Sequence, residues 1–136
     1  EDENLLLNNF ENFIKDKSIN LKHYKVSIHP LKLNSNIHIN FKKRILNVIQ
    51  KTKNFKNKKK YNSPIIFSHP GGTVTECLQT SNSAYHITLD KLNIFNKSIW
   101  KKITVKEELK NIYRYTSKIK FFDLKNKKYS LQRITI

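Results

Sequence analysis

The stretch from Ser63 to Trp100, SPIIFSHPGGTVTECLQTSNSAYHITLDKLNIFNKSIW, limits the fold more than any other part of the chain. It combines apolar and β-branched runs with the only two glycines, Gly71 and Gly72, and the only tryptophan, Trp100. Ile65, Ile66 and Phe67 predict a short strand, His69 to Gly72 a turn, and Thr73 to Gln79 a second strand. Together these read as a β-hairpin with a loop of about four residues. Tyr85 to Leu89 is a third strand candidate, and residues 90–100 have no single period and read as irregular. A binding surface is expected on this segment, with the rest of the chain wrapped around it or around a partner.

The flanks are periodic only in places. Residues 3–16 set Leu6, Leu7, Phe10, Phe13 and Ile14 at helical spacing, and predict a short amphipathic helix with an acidic outer face. Leu6, Phe10 and Phe13 would either dock it onto a protein neighbour or fold it back on the chain's own core. Residues 21–39 suggest short extended pieces broken at Pro30 and Asn34 to Asn36. Residues 40–51 gather Phe41, Ile45, Val48 and Ile49 on one face and predict a basic helix carrying Lys42, Lys43 and Arg44.

From Thr52 to Asn62 the periodicity disappears. Lys56, Lys58, Lys59 and Lys60 alternate with asparagine, Phe55 and Tyr61. That composition makes either a solvated linker or an arm that orders on RNA, lysines on phosphates and aromatics on exposed bases. Thr104 and Glu107 have capping-box spacing ahead of Leu109, Ile112 and Tyr113, and predict a helix over 105–115. Ile119 to Phe122 reads as a last strand, followed by a basic turn and a short extended tail ending at Ile136.

Charge bounds the function. Of ten acids, Glu1, Asp2, Glu3, Glu11 and Asp16 lie in the first sixteen residues; from Lys17 onward 26 basic residues face five acids. The net charge of +17 opposes a compact free state and calls for a polyanionic partner. Only Arg44, Arg114 and Arg133 are arginines, and the other 24 basic residues are lysines. A lysine ammonium neutralises phosphate, whereas bidentate base reading favours arginine, so the bias points to backbone and shape recognition. Abundant Lys, Asn and Ile is also what an AT-rich genome encodes.

No active site assembles from this inventory. His23, His29, His38, His69 and His86 include no pair at metal-ligand spacing. The single Cys77 excludes an intramolecular disulfide and a cysteine-pair zinc site, and it reads as a buried small residue. Gly71-Gly72 lacks the Lys-Ser/Thr of a phosphate-cradling loop. We therefore expect no enzyme activity, no cofactor, no small-molecule substrate and no membrane span. The absence of methionine suggests a chain that starts inside a longer precursor.

Three segments resemble the large-subunit ribosomal protein thirty-one family, bacterial type, in its zinc-free mitochondrial branch. They are GGTVTECLQT, ITLDKLNIFNKSIW with Asn96-Lys97-Ser98-Ile99-Trp100, and FFDLKNKKYSL with Asn126-Lys127-Lys128-Tyr129-Ser130. The resemblance covers about residues 65–130; Lys125 stands where the family usually has an aromatic, and the helix at 105–115 would be an insertion. It implies a structural constituent of an organellar large ribosomal subunit, mitochondrial with a plastid-like organelle as the alternative. The partners would be ribosomal RNA and neighbouring large-subunit proteins at the central protuberance, with a reach toward small-subunit head proteins through an intersubunit bridge.

The expected fold is α+β, a small antiparallel sheet of about three to four short strands with a few short helices and long basic extensions. Residues 1–62 would be a lineage-specific extension and residues 63–136 the β-rich core. Candidate RNA contacts are Lys42, Lys43 and Arg44; Lys56, Lys58, Lys59 and Lys60; Lys97, Lys101 and Lys102; and Lys125, Lys127, Lys128 and Tyr129. Trp100 either stacks on a base or caps the sheet. Two other readings stay open: a free nucleic-acid-binding or RNA-processing factor, and a protein-interaction subunit whose basic charge reflects codon bias.

Overall fold

The structure is a computed structural model that describes residues 2–21, 23–28, 33–53, 59–60, 63–67, 74, 77–78, 83–89, 103–117 and 133–136. The fold is α+β: two long helices and a six-stranded mixed sheet, with a second, two-stranded ladder beside them. Helix α1 spans Asp2–Lys17 and buries Leu7, Phe10, Phe13 and Ile14, the periodic positions of its sequence. It ends at Ser18, whose φ of 51° places it in the left-handed region that closes helices, with its N–H on the Lys15 carbonyl at 3.3 Å. Helix α2 spans Asn36–Thr52 and buries Phe41, Ile45, Ile49 and Thr52 along one side. It begins four residues earlier than its periodicity suggests, because Ile37 and Ile39 belong to it and not to an extended piece.

The strands are β1 (Ile19–Asn20), β2 (Lys25–Ser27), β3 (Lys59–Lys60), β4 (Ile65–Ile66), β5 (Ser83–Ile87), β6 (Ile103–Leu109), β7 (Ile112–Ser117) and β8 (Arg133–Thr135). The large sheet runs β2-β8-β4-β5-β7-β6. Its first four strands are mutually parallel, and β5-β7-β6 is antiparallel. The sheet is thus mixed and larger than the small antiparallel sheet expected. The reason lies in the connections: strands that run parallel in one sheet need a crossover, and α2 supplies the one from β2 to β4, which flank β8.

The same rule overturns the hairpin expected over 65–79. β4 pairs with β5 and β8, both parallel, and Val74, Cys77 and Leu78 are helical and buried. Their i, i+3, i+4 spacing is that of a helix face, which the β-branched residues around them outweighed in the sequence reading. The helix expected over 105–115 is corrected as well: β6 and β7 form a hairpin there, turning at Lys110-Asn111. Asn111 has φ 65°, a conformation that asparagine tolerates in tight turns. The run Ile103-Thr104-Val105 and the run Ile112-Tyr113 favour a pleated surface, and that preference prevails over the capping-box spacing of Thr104 and Glu107. The expected strand at 119–122 and the turn at 124–129 lie outside the described residues.

Both faces of the sheet are covered. On one, α1 and α2 pack over Ile65, Tyr85, Ile87, Ile112 and Ile134. Phe67 sits edge-on to Phe10 at 5.3 Å and to Phe41 at 5.4 Å, and Phe13 sits edge-on to Tyr85 at 4.8 Å. On the other, Val74, Cys77 and Leu78 pack with Ile66, Ala84, Ile103 and Tyr115. The main core therefore draws on residues from both sides of position 62. This corrects the expected boundary: the described parts of 1–62 and 63–136 share one core, and β2 pairs directly with β8. Tyr24 adds a polar tie across the same boundary, donating to the Ser63 carbonyl at 2.7 Å.

Candidate nucleic-acid interface

The basic residues expected to touch RNA divide by what folding does to them. Lys42 and Lys43 sit on α2, Lys42 half-buried and Lys43 exposed, with no ion pair. Arg44 points the other way, toward α1. Its Nη1 meets Glu3 Oε1 at 2.5 Å, and its Nη2 donates to Asn4 Oδ1. Held by a carboxylate and an amide, Arg44 ties α1 to α2 while two of its five N–H donors are used. Lys59 and Lys60 form β3, parallel to β1 with Lys59 opposite Ile19. Lys56, Lys58, Lys97, Trp100, Lys101, Lys102, Lys125, Lys127, Lys128 and Tyr129 lie outside the described residues.

Three of the described acids, Glu3, Glu11 and Glu108, are paired within the fold. Besides Glu3, Glu11 Oε1 receives Lys51 at 2.9 Å and Lys15 at 3.9 Å, so α1 and α2 are joined by two sets of opposite charges. Glu108 is the third hub. A register shift between Glu107 and Leu109 puts it at a bulge in β6. There its carboxylate meets Lys17 at 2.8 Å and Arg114 at 3.5 Å and accepts from the Tyr85 hydroxyl at 3.4 Å. Burial pushes the Glu108 carboxyl up, but the Lys17 ammonium that hydrogen-bonds it and the Arg114 guanidinium outweigh this and hold it below the ordinary value. The Lys17 ammonium is raised in turn, chiefly by its hydrogen bond to Glu108.

What remains outward is mainly cationic, with Asp16 and Glu107 the exposed acids among the described residues. Among the described residues Lys25, Lys42, Lys43, Lys53, Lys106 and Lys110 form no ion pair. Lys53 opens the arm expected over 52–62, whereas nothing about the spacing of Lys25, Lys106 and Lys110 marks them among so many lysines. Three of the described acids take five bases, while exposed Asp16 and Glu107 form no ion pair, so these six lysines outnumber the exposed carboxylates three to one.

The expected protein contacts fare differently from one another. Phe10 and Phe13 are fully buried in the chain's own core, so they cannot meet a neighbour without unfolding α1. Of the two readings for this helix, the structure takes the inward one for both. Leu6 is only partly buried and lines a cleft of about 180 Å³ with Ile37, Phe41, Phe67 and Ile136.

Of the histidines, His38 bonds the Ser35 hydroxyl at 2.8 Å next to the start of α2, and His86 is buried with Nδ1 2.9 Å from the Tyr115 hydroxyl. Burial pushes the Tyr115 phenol well above its ordinary value. Cys77 is buried beside this pair's cluster, as its sequence context suggests. Among the described residues no helix is long and apolar enough to cross a membrane. Comparison of the chain with protein-family models, with curated proteins and with solved structures finds no match.

Proposed function

We propose that the chain is a structural, RNA-binding subunit of a ribonucleoprotein particle, specifically an organellar large ribosomal subunit, mitochondrial ahead of plastid-like. The observation that carries this reading is the fate of the acids. Glu3, Glu11 and Glu108 are committed to bases within the fold, while six described lysines stand unpaired at its surface in a chain of net charge +17. A body that pairs three carboxylates within the fold, and sets six outward ammonium groups against exposed Asp16 and Glu107, attracts a polyanion along its backbone. The role is binding and scaffolding, without catalysis. The ribosomal assignment within this class rests on the residues at 96–100 and 126–130. The third motif, over 71–80, is helical at its described positions and lends it no support.

Sedimentation tests the assignment. The endogenous protein should travel with large-subunit particles at physiological salt and crosslink to ribosomal RNA through lysines; finding it wholly in the free fraction removes the ribosomal reading.

The closed core favours a second reading, a free-standing nucleic-acid-binding factor. A chain that buries Phe10, Phe13, Ile45 and Tyr115 completely holds the ingredients of an independent fold. It predicts cooperative unfolding of the purified chain without RNA, together with binding whose log K falls by about 0.7–0.9 per phosphate neutralised as log salt rises.

A further inference from the structure

Helix α2 carries no acid anywhere along NIHINFKKRILNVIQKT. Its buried side is Phe41, Ile45, Ile49 and Thr52. On the opposite side Asn36, Asn40, Lys43, Asn47 and Gln50 recur at i, i+4, i+7, i+11 and i+14, and all five are exposed. At the α-helical rise of about 1.5 Å per residue this stripe is roughly 21 Å long. It consists of four amides around one unpaired lysine, with exposed Lys53 beyond its C-terminal end.

We propose that this stripe is a docking surface for double-helical RNA, laid along the shallow groove. The inference rests on the RNA-binding reading above and specifies the surface and the form of RNA. Three features of α2 select this occupant. The side chain of an asparagine or glutamine both donates and accepts hydrogen bonds, and so does a ribose 2′-hydroxyl. The stripe contains no aromatic residue, because Phe41 is buried in the core, so it offers no platform on which unpaired bases would stack. A helix face of this length suits the wide, shallow groove of an A-form duplex, where 2′-hydroxyls and base edges are displayed; the deep groove is too narrow for it.

Electrostatics favours the same approach. Glu3 and Glu11, the acids nearest α2, are turned to its flank and neutralised by Arg44 and Lys51. The stripe therefore presents a wholly uncharged and cationic surface to phosphate, with Lys43 near its middle and Lys53 near its end. Amide contacts to 2′-hydroxyls carry little base sequence, so recognition is of RNA over DNA and of shape over sequence.

The test uses the full chain with a blunt RNA duplex of about two helical turns, the matching DNA duplex and the unpaired RNA strand, read by fluorescence anisotropy over a salt series. The triple variant Asn40→Ala, Asn47→Ala, Gln50→Ala replaces exposed side chains with the best helix former, and circular dichroism checks that the fold is kept. We expect it to bind the RNA duplex about tenfold more weakly, as loss of a few modest hydrogen bonds implies, and to bind the DNA duplex within about twofold of wild type. Lys43→Ala should reduce the salt slope by about 0.9, and Lys110→Ala on the distant hairpin turn should leave the RNA-over-DNA preference intact. An unchanged RNA preference in a folded triple variant overturns the proposal while RNA binding by the chain still stands. So does tighter wild-type binding to the unpaired strand. Absence of any RNA binding by the wild type would remove both this inference and the reading beneath it.

Discussion

The two faces of the sheet are held by different chemistry. The face under α1 and α2 is aromatic and aliphatic, with Phe10, Phe13, Phe41 and Phe67 meeting edge to face around a row of isoleucines. The opposite face is smaller and buries polar atoms: His86 and Tyr115 lie fully inside it, hydrogen-bonded to each other, with Thr135 buried nearby on the same side of the sheet. The first face gains from area removed from water and tolerates imperfect geometry. The second depends on buried donors meeting acceptors, as His86 and Tyr115 do, where water cannot substitute. A lysine-rich chain thus obtains its stability mainly from one side of its sheet and its uniqueness from the other.

That contrast fixes an order of expected effects. Phe13→Ala, on the apolar face, removes a fully buried ring and should cost about 3–5 kcal/mol in urea unfolding. A loss below about 1 kcal/mol would mean that this face does not dominate. Tyr115→Phe leaves shape and area nearly intact but deletes the hydroxyl that His86 Nδ1 meets at 2.9 Å. A loss of about 1–3 kcal/mol is expected, and a neutral result in thermal melts would erase the distinction between the faces.

Asn111→Ala forces a Cβ without a helpful side chain into the left-handed region, and should cost about 1 kcal/mol with the hairpin's amides exchanging faster. Glu108→Gln probes the hub linking α1 to that hairpin. The folded Glu108 carboxyl lies below its ordinary value, so its contribution is complete above the ordinary carboxylate range and is lost as pH falls through the folded value. Wild type should therefore lose stability on acidification in that window by more than the glutamine variant does, as followed by melts at stepped pH. The smallest effect belongs to Arg44→Ala, about 0.5 kcal/mol, since the Arg44–Glu3 pair is partly exposed and salt-screened. Double substitution with Glu3→Ala should add almost nothing further if the pair is the only coupling.

The two long helices were largely legible in the chain because each repeats its apolar residues over several turns: Leu7, Phe10, Phe13 and Ile14 on α1, and Phe41, Ile45 and Ile49 on α2. The β6–β7 hairpin was not, since a single Thr-x-x-Glu spacing suggested a helix start in a segment whose β-branched residues prefer a sheet. The helical stretch at Val74, Cys77 and Leu78 was hidden for the opposite reason, three spaced apolar residues set among threonines. At the candidate interface, Lys42 and Lys43 were legible as surface cations, whereas the fate of Arg44 depends on where Glu3 arrives in space.

Composition and periodicity alone determined the excess of positive charge, the two amphipathic helices and the mixed α and β character, because these depend on residue type and spacing within a few turns. Only the tertiary structure decided that β8, from the last residues described, runs between β2 and β4, and that Glu3 and Glu11 are spent on α2. Strand order and ion pairing join positions far apart in the chain, and local pattern carries no information about which distant segment will supply the missing hydrogen bonds or the opposite charge.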